Sequence, residues 1–307
     1  MLDIVVPIIL TVITAATPLL LAALGELITE RSGVLNLGVE GMMVMGAVAG
    51  FAVTISTGSP TLGILAGAVA GLLTSLVFAF VTLTLVANQV ASGLALTMFG
   101  LGLSGLIGES FVGKPGIKLE ALHIPGLSDL PVIGPILFSQ DLLVYLSFAM
   151  IVVVNWFLFR TRAGLILRSV GDNHSSAHAL GYSVIGVRYL AVMFGGLMAG
   201  LGGAYLSVAY TPLWVENMTA GRGWIALALV VFASWRPTRV AAGAYLFGAV
   251  TVLQFHAQAL GIGLPSQFLS MLPYLATVVV LVAISGNRRA TLFNTPACLG
   301  KSFVPDR

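Results

Sequence analysis

The residues able to do chemistry in this chain are few, and most of them gather in two places. Gly25-Glu26-Leu27-Ile28-Thr29-Glu30-Arg31-Ser32-Gly33-Val34-Leu35-Asn36-Leu37-Gly38-Val39-Glu40-Gly41 brings three carboxylates, an arginine and four glycines between two hydrophobic stretches. The second group runs from Pro212 to Gly223 and holds Trp214, Glu216, Asn217, Gly221 and Arg222. An apolar run of only 12 residues, 224–235, follows it. At 1.5 Å per residue that run covers about 18 Å, short of the roughly 30 Å of a bilayer core. Irregular backbone is tolerated near membrane depth only where protein or a water-filled cavity shelters it, and interrupted segments of this kind point to a translocation pathway. The other reading is that both groups are interfacial loops with solvated charges, and the sequence leaves both open.

Three further kinds of chemistry are possible on paper. Asn36, Asn88, Gln89, Gln254 and Gln258 could hydrogen-bond a neutral polar solute, and could equally bond one helix to another. Glu40, Glu216 and His256 are the groups a proton- or ion-coupled carrier would use as a relay. Gly102-Leu103-Ser104-Gly105 with His256 has the residue types of an intramembrane serine protease, which needs base and nucleophile within hydrogen-bond reach. Metal and disulfide chemistry are not expected: Cys298 is the single cysteine and no Cys/His pair has ligand spacing. The chain also lacks a Gly-rich Lys-Ser/Thr phosphate loop.

The elements that must position these residues are membrane helices. The 307 residues are 58% hydrophobic and 8% charged, with mean hydropathy +1.04, against about 25% charged residues in an ordinary soluble domain. Apolar segments are expected at 4–28, 41–57, 61–87, 90–111, 141–159, 188–210, 224–235, 240–260 and 267–285, giving an all-α bundle of about nine helices in one transmembrane domain, 1–307. The opening Met1-Leu2-Asp3 lacks the basic start of a signal peptide, so the first segment is expected to be a retained helix. Residues 113–140 read as an ordered external loop. Gly46/Gly50, Gly67/Gly71, Gly100/Ser104/Gly108 and Gly196/Gly200 have the four-residue spacing that lets helix backbones approach, first of all within one subunit.

Charge placement sets the orientation. The net charge of +3 comes with Lys and Arg concentrated in a few loops, which positive-inside topology explains better than a nucleic-acid partner does. Arg160, Arg162, Arg168 and Arg188 flank one region, Arg236 and Arg239 another, and Arg288, Arg289, Lys301 and Arg307 mark a tail, 286–307. All three are expected on the cytoplasmic side, with the amino terminus outside. The 160–188 region is too long for a tight turn, and Asp172 or Asn173 can cap a short helix that stops at Gly181.

The stretch Glu30-Arg31-Ser32-Gly33-Val34-Leu35-Asn36-Leu37-Gly38-Val39-Glu40-Gly41-Met42-Met43 resembles a signature of ABC importer permeases of the branched-chain amino acid, ribose and simple-sugar class, closest to the nucleoside or simple-sugar branch. Gly171-Asp172-Asn173 to Leu180-Gly181, Gly221-Arg222-Gly223-Trp224-Ile225-Ala226-Leu227-Ala228 and Gln254-Phe255-His256-Ala257-Gln258 agree with it. The family more often carries Glu at the Asp172 position and Pro near His174. The resemblance implies a type II-like permease of two pseudo-symmetric halves in a bacterial plasma membrane, paired with a second permease. It also implies an ATPase subunit holding ATP and Mg, and an extracytoplasmic solute-binding lipoprotein. By the same resemblance Arg168, Gly171, Asp172, Asn173, Ala177, Leu180 and Gly181 are the ATPase-coupling candidates. Asn36, Glu40, Gly41, Asn88, Gln89, Glu216, Arg222, Gly223, Trp224, Gln254, His256 and Gln258 are the pathway or hinge candidates.

Overall fold

A computed structural model describes residues 2–123, 125–128, 130–259 and 294–304, with scattered positions between 265 and 282. Its described secondary structure is helical throughout: α1 Leu2–Arg31, α2 Val39–Thr57, α3 Pro60–Ala79, α4 Gln89–Gly108, α5 Ile133–Phe138, α6 Leu142–Arg160, α7 Arg162–Asp172, α8 His174–Ala179, α9 Val184–Tyr205, α10 Arg222–Phe232 and α11 Pro237–Ala259. Among the described residues seven helices are long and apolar enough to cross a membrane, and α10 is a shorter apolar one. The expected ninth segment, 267–285, lies mostly outside the described residues.

Local chemistry starts many of these helices. Ser59, Asn88, Asp141, Thr161, Asn173 and Ser183 each accept a hydrogen bond from a first-turn N–H of α3, α4, α6, α7, α8 and α9, a cap worth about 1 kcal/mol. Two helices differ. α2 and α10 start at Gly38 and Gly221, which bring no side chain to the task.

The centre of the molecule is α1, α2, α3 and α9 packed on one another. Their backbones meet at glycine. A methyl group at Gly67 would sit 2.6 Å from Cβ of Ala204, and one at Gly71 the same distance from Cα of Gly200. Gly46 abuts Gly200, and Gly196 abuts Ser75 and Gly71, so these small-residue pairs serve packing within the chain. α3 and α9 each end in a five-residue π turn, Phe80–Thr84 and Leu206–Tyr210, a correspondence between the two halves.

Three sequence expectations need correction. α1 does not end at 28 but runs on through Glu30 to Arg31: Glu26 and Glu30 are buried in protein instead of solvated, and Asn36 Nδ2 and Trp235 Nε1 each donate to one of their oxygens. The irregular part is therefore residues 32–38. The 160–188 region holds the expected short helix, α8, and also a second one before it, α7. Arg188 is not a loop cation either: it lies inside α9, 1% exposed, and donates to Ser32 O at 3.2 Å and Lys301 O at 3.0 Å.

Candidate functional site

The two irregular groups meet. Glu40, in the first turn of α2 and 3% exposed, turns its carboxylate onto the start of α10. Its Oε1 accepts from Thr219 Oγ1 at 2.5 Å and from Gly221 N at 2.8 Å, and its Oε2 accepts from Gly223 N at 2.6 Å. A helix start leaves N–H groups unpaired and carries partial positive charge, so a carboxylate from another helix does what Gly221 cannot. The backbone that delivers these donors is bent: Asn217, Ala220 and Gly221 all have positive φ, at 56°, 46° and 82°. For Asn217 and Ala220 that is a sparsely populated region, which persists only where surroundings enforce it.

The crossing is as tight as it can be. A methyl group at Gly223 would lie 2.6 Å from Cα of Glu40, and one at Gly41 would lie 2.7 Å from Leu96 O of α4. Gly41, Gly93 and Gly100 together admit α4 against the backbone of 37–41. The 32–38 segment is satisfied by its neighbours. Leu35 N donates to Gln89 Oε1 at 2.8 Å, Thr97 Oγ1 donates to Leu37 O at 3.1 Å, and Gly38 N donates to Asn36 Oδ1 at 3.0 Å. Asn36 Nδ2 also donates to Glu26 Oε2 at 3.3 Å.

Depth follows from helix length. α10 has 11 residues, about 16 Å at 1.5 Å each. Its far end is fastened to α1, where Trp235 Nε1 donates to Glu30 Oε2 at 2.5 Å and Arg31 Nη2 donates to Trp235 O at 3.0 Å. That end carries the arginines: Arg31 feels the charges of Asp172, Arg168 and Arg236. The Glu40–α10 junction thus stands about 16 Å from that end along α10.

The pathway candidates therefore divide. Glu40, Gly41 and Gly223 form the junction, and Arg222 is beside it, half-buried, donating from Nη1 to Met218 O at 3.0 Å. Trp224, next in line, is 46% exposed. Glu216 is exposed and its carboxylate stands next to Gly105 of α4. Asn36 and Gln89 are buried braces of the 32–38 segment, and Asn88 is the cap of α4. Gln254, His256 and Gln258 lie at least 17 residues beyond Pro237 on α11, about 25 Å along it and above the junction. Ser104 Oγ donates to Leu101 O at 2.9 Å, whereas His256 Nδ1 meets Val252 O at 3.0 Å. Their helices pack against different neighbours, α4 on α2 and α3, α11 on α1, α10 and α6, so the protease pairing loses its geometry.

On the arginine-bearing side, Asn173 caps α8 with Oδ1 accepting from Ser176 N at 3.0 Å, and Gly181 takes φ +87° just past its end. Asp172, Asn173, Leu180 and Gly181 are exposed, Leu180 at 77%. Gly171 and Ala177 are turned inward, which corrects their place among the outward contacts. Gly171 is pressed on Arg31 O and Gly33, and its own carbonyl accepts from Cys298 N at 2.8 Å. Ala177 packs with Val170 and Val184. Thr219, Trp235 and the 294–304 tail were missed by sequence reasoning. Nothing in a lone threonine, tryptophan or short tail signals a partner more than 100 residues away.

Comparison with known proteins agrees with this architecture. Residues 8–287 match the family described as branched-chain amino acid transport system / permease component. TsgC13 of Haloferax volcanii, whose name assigns it provisionally as a glucose ABC transporter permease, is 42% identical, with 95% of each chain covered. The guanosine ABC transporter permease protein NupQ of Bacillus subtilis is 34% identical over 98% of each chain. The nucleoside ABC transporter permease protein NupC of Lactococcus lactis is 34% identical, covering 88% of this chain and 90% of its own. A polytopic helical chain whose two irregular segments lock together, matched by family and relatives along nearly its whole length, is a member of the branched-chain amino acid transport system permease family, in its simple-sugar and nucleoside branch.

Proposed function

We propose that this permease forms half of the translocation pathway of an ATP-driven importer for a nucleoside or a simple sugar. The observation that carries the reading is the Glu40–α10 junction: a short helix starting near mid-membrane, held by one carboxylate on backbone N–H groups. Such a half-helix can swing when its cap is released, opening a polar route beside Trp224 and Glu216 without unfolding a full span. The relatives named for glucose, guanosine and nucleosides support neutral, polyhydroxylated cargo.

In this reading the arginine-bearing side and the 294–304 tail face the cytoplasm, with the amino terminus outside. α8 and Leu180 dock on a separate ATPase subunit, which holds ATP and Mg. ATP binding there moves α8, α7 follows, and the permease pair alternates between outward- and inward-open states. The exposed face of α4, with Leu94, Met98 and Leu106, meets a second, paralogous permease, and an extracytoplasmic lipoprotein delivers the solute. The chain itself catalyses nothing.

A thermal-shift screen of the cognate binding protein against nucleosides, hexoses, pentoses and amino acids tests the cargo. Stabilisation by nucleosides or sugars is expected; stabilisation by amino acids alone overturns the cargo assignment. Uptake that survives deletion of the ATPase gene would replace the ATP-driven importer with an ion-coupled carrier.

A further inference from the structure

A groove on the arginine-bearing side belongs neither to the junction nor to α8. α6 and α9 both pack on α1 and on α7, and between them lies a cavity of about 450 Å³. Its floor is Ile28 of α1, its walls include Met150 and Phe157 of α6 and Leu190 and Phe194 of α9, and Ile166 of α7 lies over one end. The whole lining is apolar. Leu190 and Trp156 at its lips are 69% and 58% exposed, so the groove opens sideways, toward lipid.

What covers such a groove is argued from charge. Arg162 lies one helical turn before Ile166 on α7, on the same stripe. Arg160 ends α6 three and four residues beyond Phe157 and Trp156, on the face that lines the groove, and is exposed like Arg162. Asp172, the acidic residue of this segment, stands at the opposite end of α7. An apolar slot open to the bilayer, with guanidinium groups at the interfacial end, is complementary to one kind of molecule: an acyl chain joined to a phosphate. Basic sites between transmembrane helices hold anionic headgroups in this way, and the bidentate fork of arginine suits phosphate.

We propose that the α6–α9 groove seats an acyl chain of an anionic phospholipid from the adjoining leaflet, with its phosphate held by Arg160 and Arg162. The lipid then wedges under α7, whose last residue adjoins the Asn173 cap of α8. Lipid composition would thereby bear on the segment that leads to α8.

The test uses the transporter purified with its partners and placed in nanodiscs of phosphatidylcholine, with or without phosphatidylglycerol of the same chains. A photoreactive diazirine in the acyl chain of the phosphatidylglycerol reports position. Labelling concentrated on 150–157 and 187–194 is expected, at least severalfold above the lipid-facing surface of α3. It should be lost when Arg160→Gln is combined with Arg162→Gln, and in Leu190→Trp, whose indole fills an already lipid-exposed lip. Arg→Gln at exposed positions leaves packing intact, so a folded variant is available whichever way the tryptophan behaves. Even labelling of all lipid-facing helices, equal labelling by a phosphatidylcholine probe, or cross-linking of a second permease into the groove would each overturn the proposal. The readout is independent of uptake, so a wrong cargo assignment leaves it standing.

Discussion

The Oε2 atom of Glu40 lies 2.6 Å from the backbone nitrogen of Gly223, joining the first turn of α2 to the first turn of α10 across 183 residues of chain. With Thr219 and Gly221 on the other oxygen, one carboxylate takes three donors that would otherwise be buried and unpaired. Charge-assisted bonds are worth about 1.5–3 kcal/mol each, and an orphaned buried donor costs about 1–3 kcal/mol.

Replacing Glu40 with Ala is therefore expected to lower stability by about 3–5 kcal/mol, read as a fall in the melting midpoint of the detergent-purified transporter. Glu40→Gln keeps one acceptor oxygen and sets an amide donor against backbone N–H groups, so it should lose roughly half as much. Uptake should drop at least tenfold in both. Unchanged melting in Glu40→Ala would remove the junction from the account of stability and transport alike.

The close crossing makes a sharper comparison between two glycines. At Gly223 an added methyl group meets Cα of Glu40 at 2.6 Å, which is backbone and cannot step aside, whereas at Gly102 nothing lies within 4 Å. Gly223→Ala should cost about 1–3 kcal/mol through overpacking and reduce uptake. Gly102→Ala in mid-α4 should be neutral or mildly stabilising, since alanine is the better helix former. Melting curves of the two variants side by side check the ordering, and equal effects would contradict it.

These residues also show where sequence reasoning stops. Hydropathy alone gave the membrane helices, because a span is a local property of about 20 residues. The Asn173 cap and the Gly181 stop were visible for the same reason: a cap and its N–H are three residues apart. Glu40, Arg222 and Gly223 could be picked out as polar residues in the wrong surroundings, but not that Glu40 holds α10, since the partner of a buried carboxylate is set by tertiary packing. Arg188 was misread on that account. Its three-way contact to Ser32, Lys301 and His174 depends on a tail more than 100 residues away, and an arginine near a helix end looks the same whether solvated or buried. The continuation of α1 through Glu26 and Glu30 was hidden because charge in a sequence argues for water until the surrounding protein is known.

The tail gives a pH prediction. His174 Nδ1 lies 3.3 Å from Arg188 Nη2, and arginine can only donate, so the imidazole accepts and is neutral. Burial first, then the charges of Arg188 and Lys301, pushes its pKa below the ordinary 6.5. With the folded value depressed, the unfolded state binds more protons as pH falls below about 6.5, and stability is lost in that direction. The rings of His174 and His178 both pack against Phe303, the first tilted and the second edge-on, so the tail is what should loosen. The protection of the Cys298 and Gly300 amides against exchange, relative to the intrinsic rate at each pH, is expected to fall between pH 7 and pH 5.5, since their N–H groups donate to Gly171 O and Gly33 O. His174→Gln should flatten that dependence, and an unchanged slope would put the titration elsewhere.

The proposed coupling role separates two neighbouring residues whose variants differ in what they break. Leu180 is 77% exposed and contributes little to the fold of the lone subunit, so Leu180→Ala should leave melting within about 0.5 kcal/mol of wild type. If α8 docks on the ATPase, the same change removes an apolar anchor, and hydrolysis stimulated by the loaded binding protein should fall severalfold while basal hydrolysis stays. Asn173→Ala removes the cap of α8, about 1 kcal/mol, and should both loosen the segment and weaken stimulation. Measuring melting and stimulated ATPase on the same preparations distinguishes a docking residue from a structural one. Loss of stability in Leu180→Ala, or full stimulation in it, would move the coupling contact away from this end of α8.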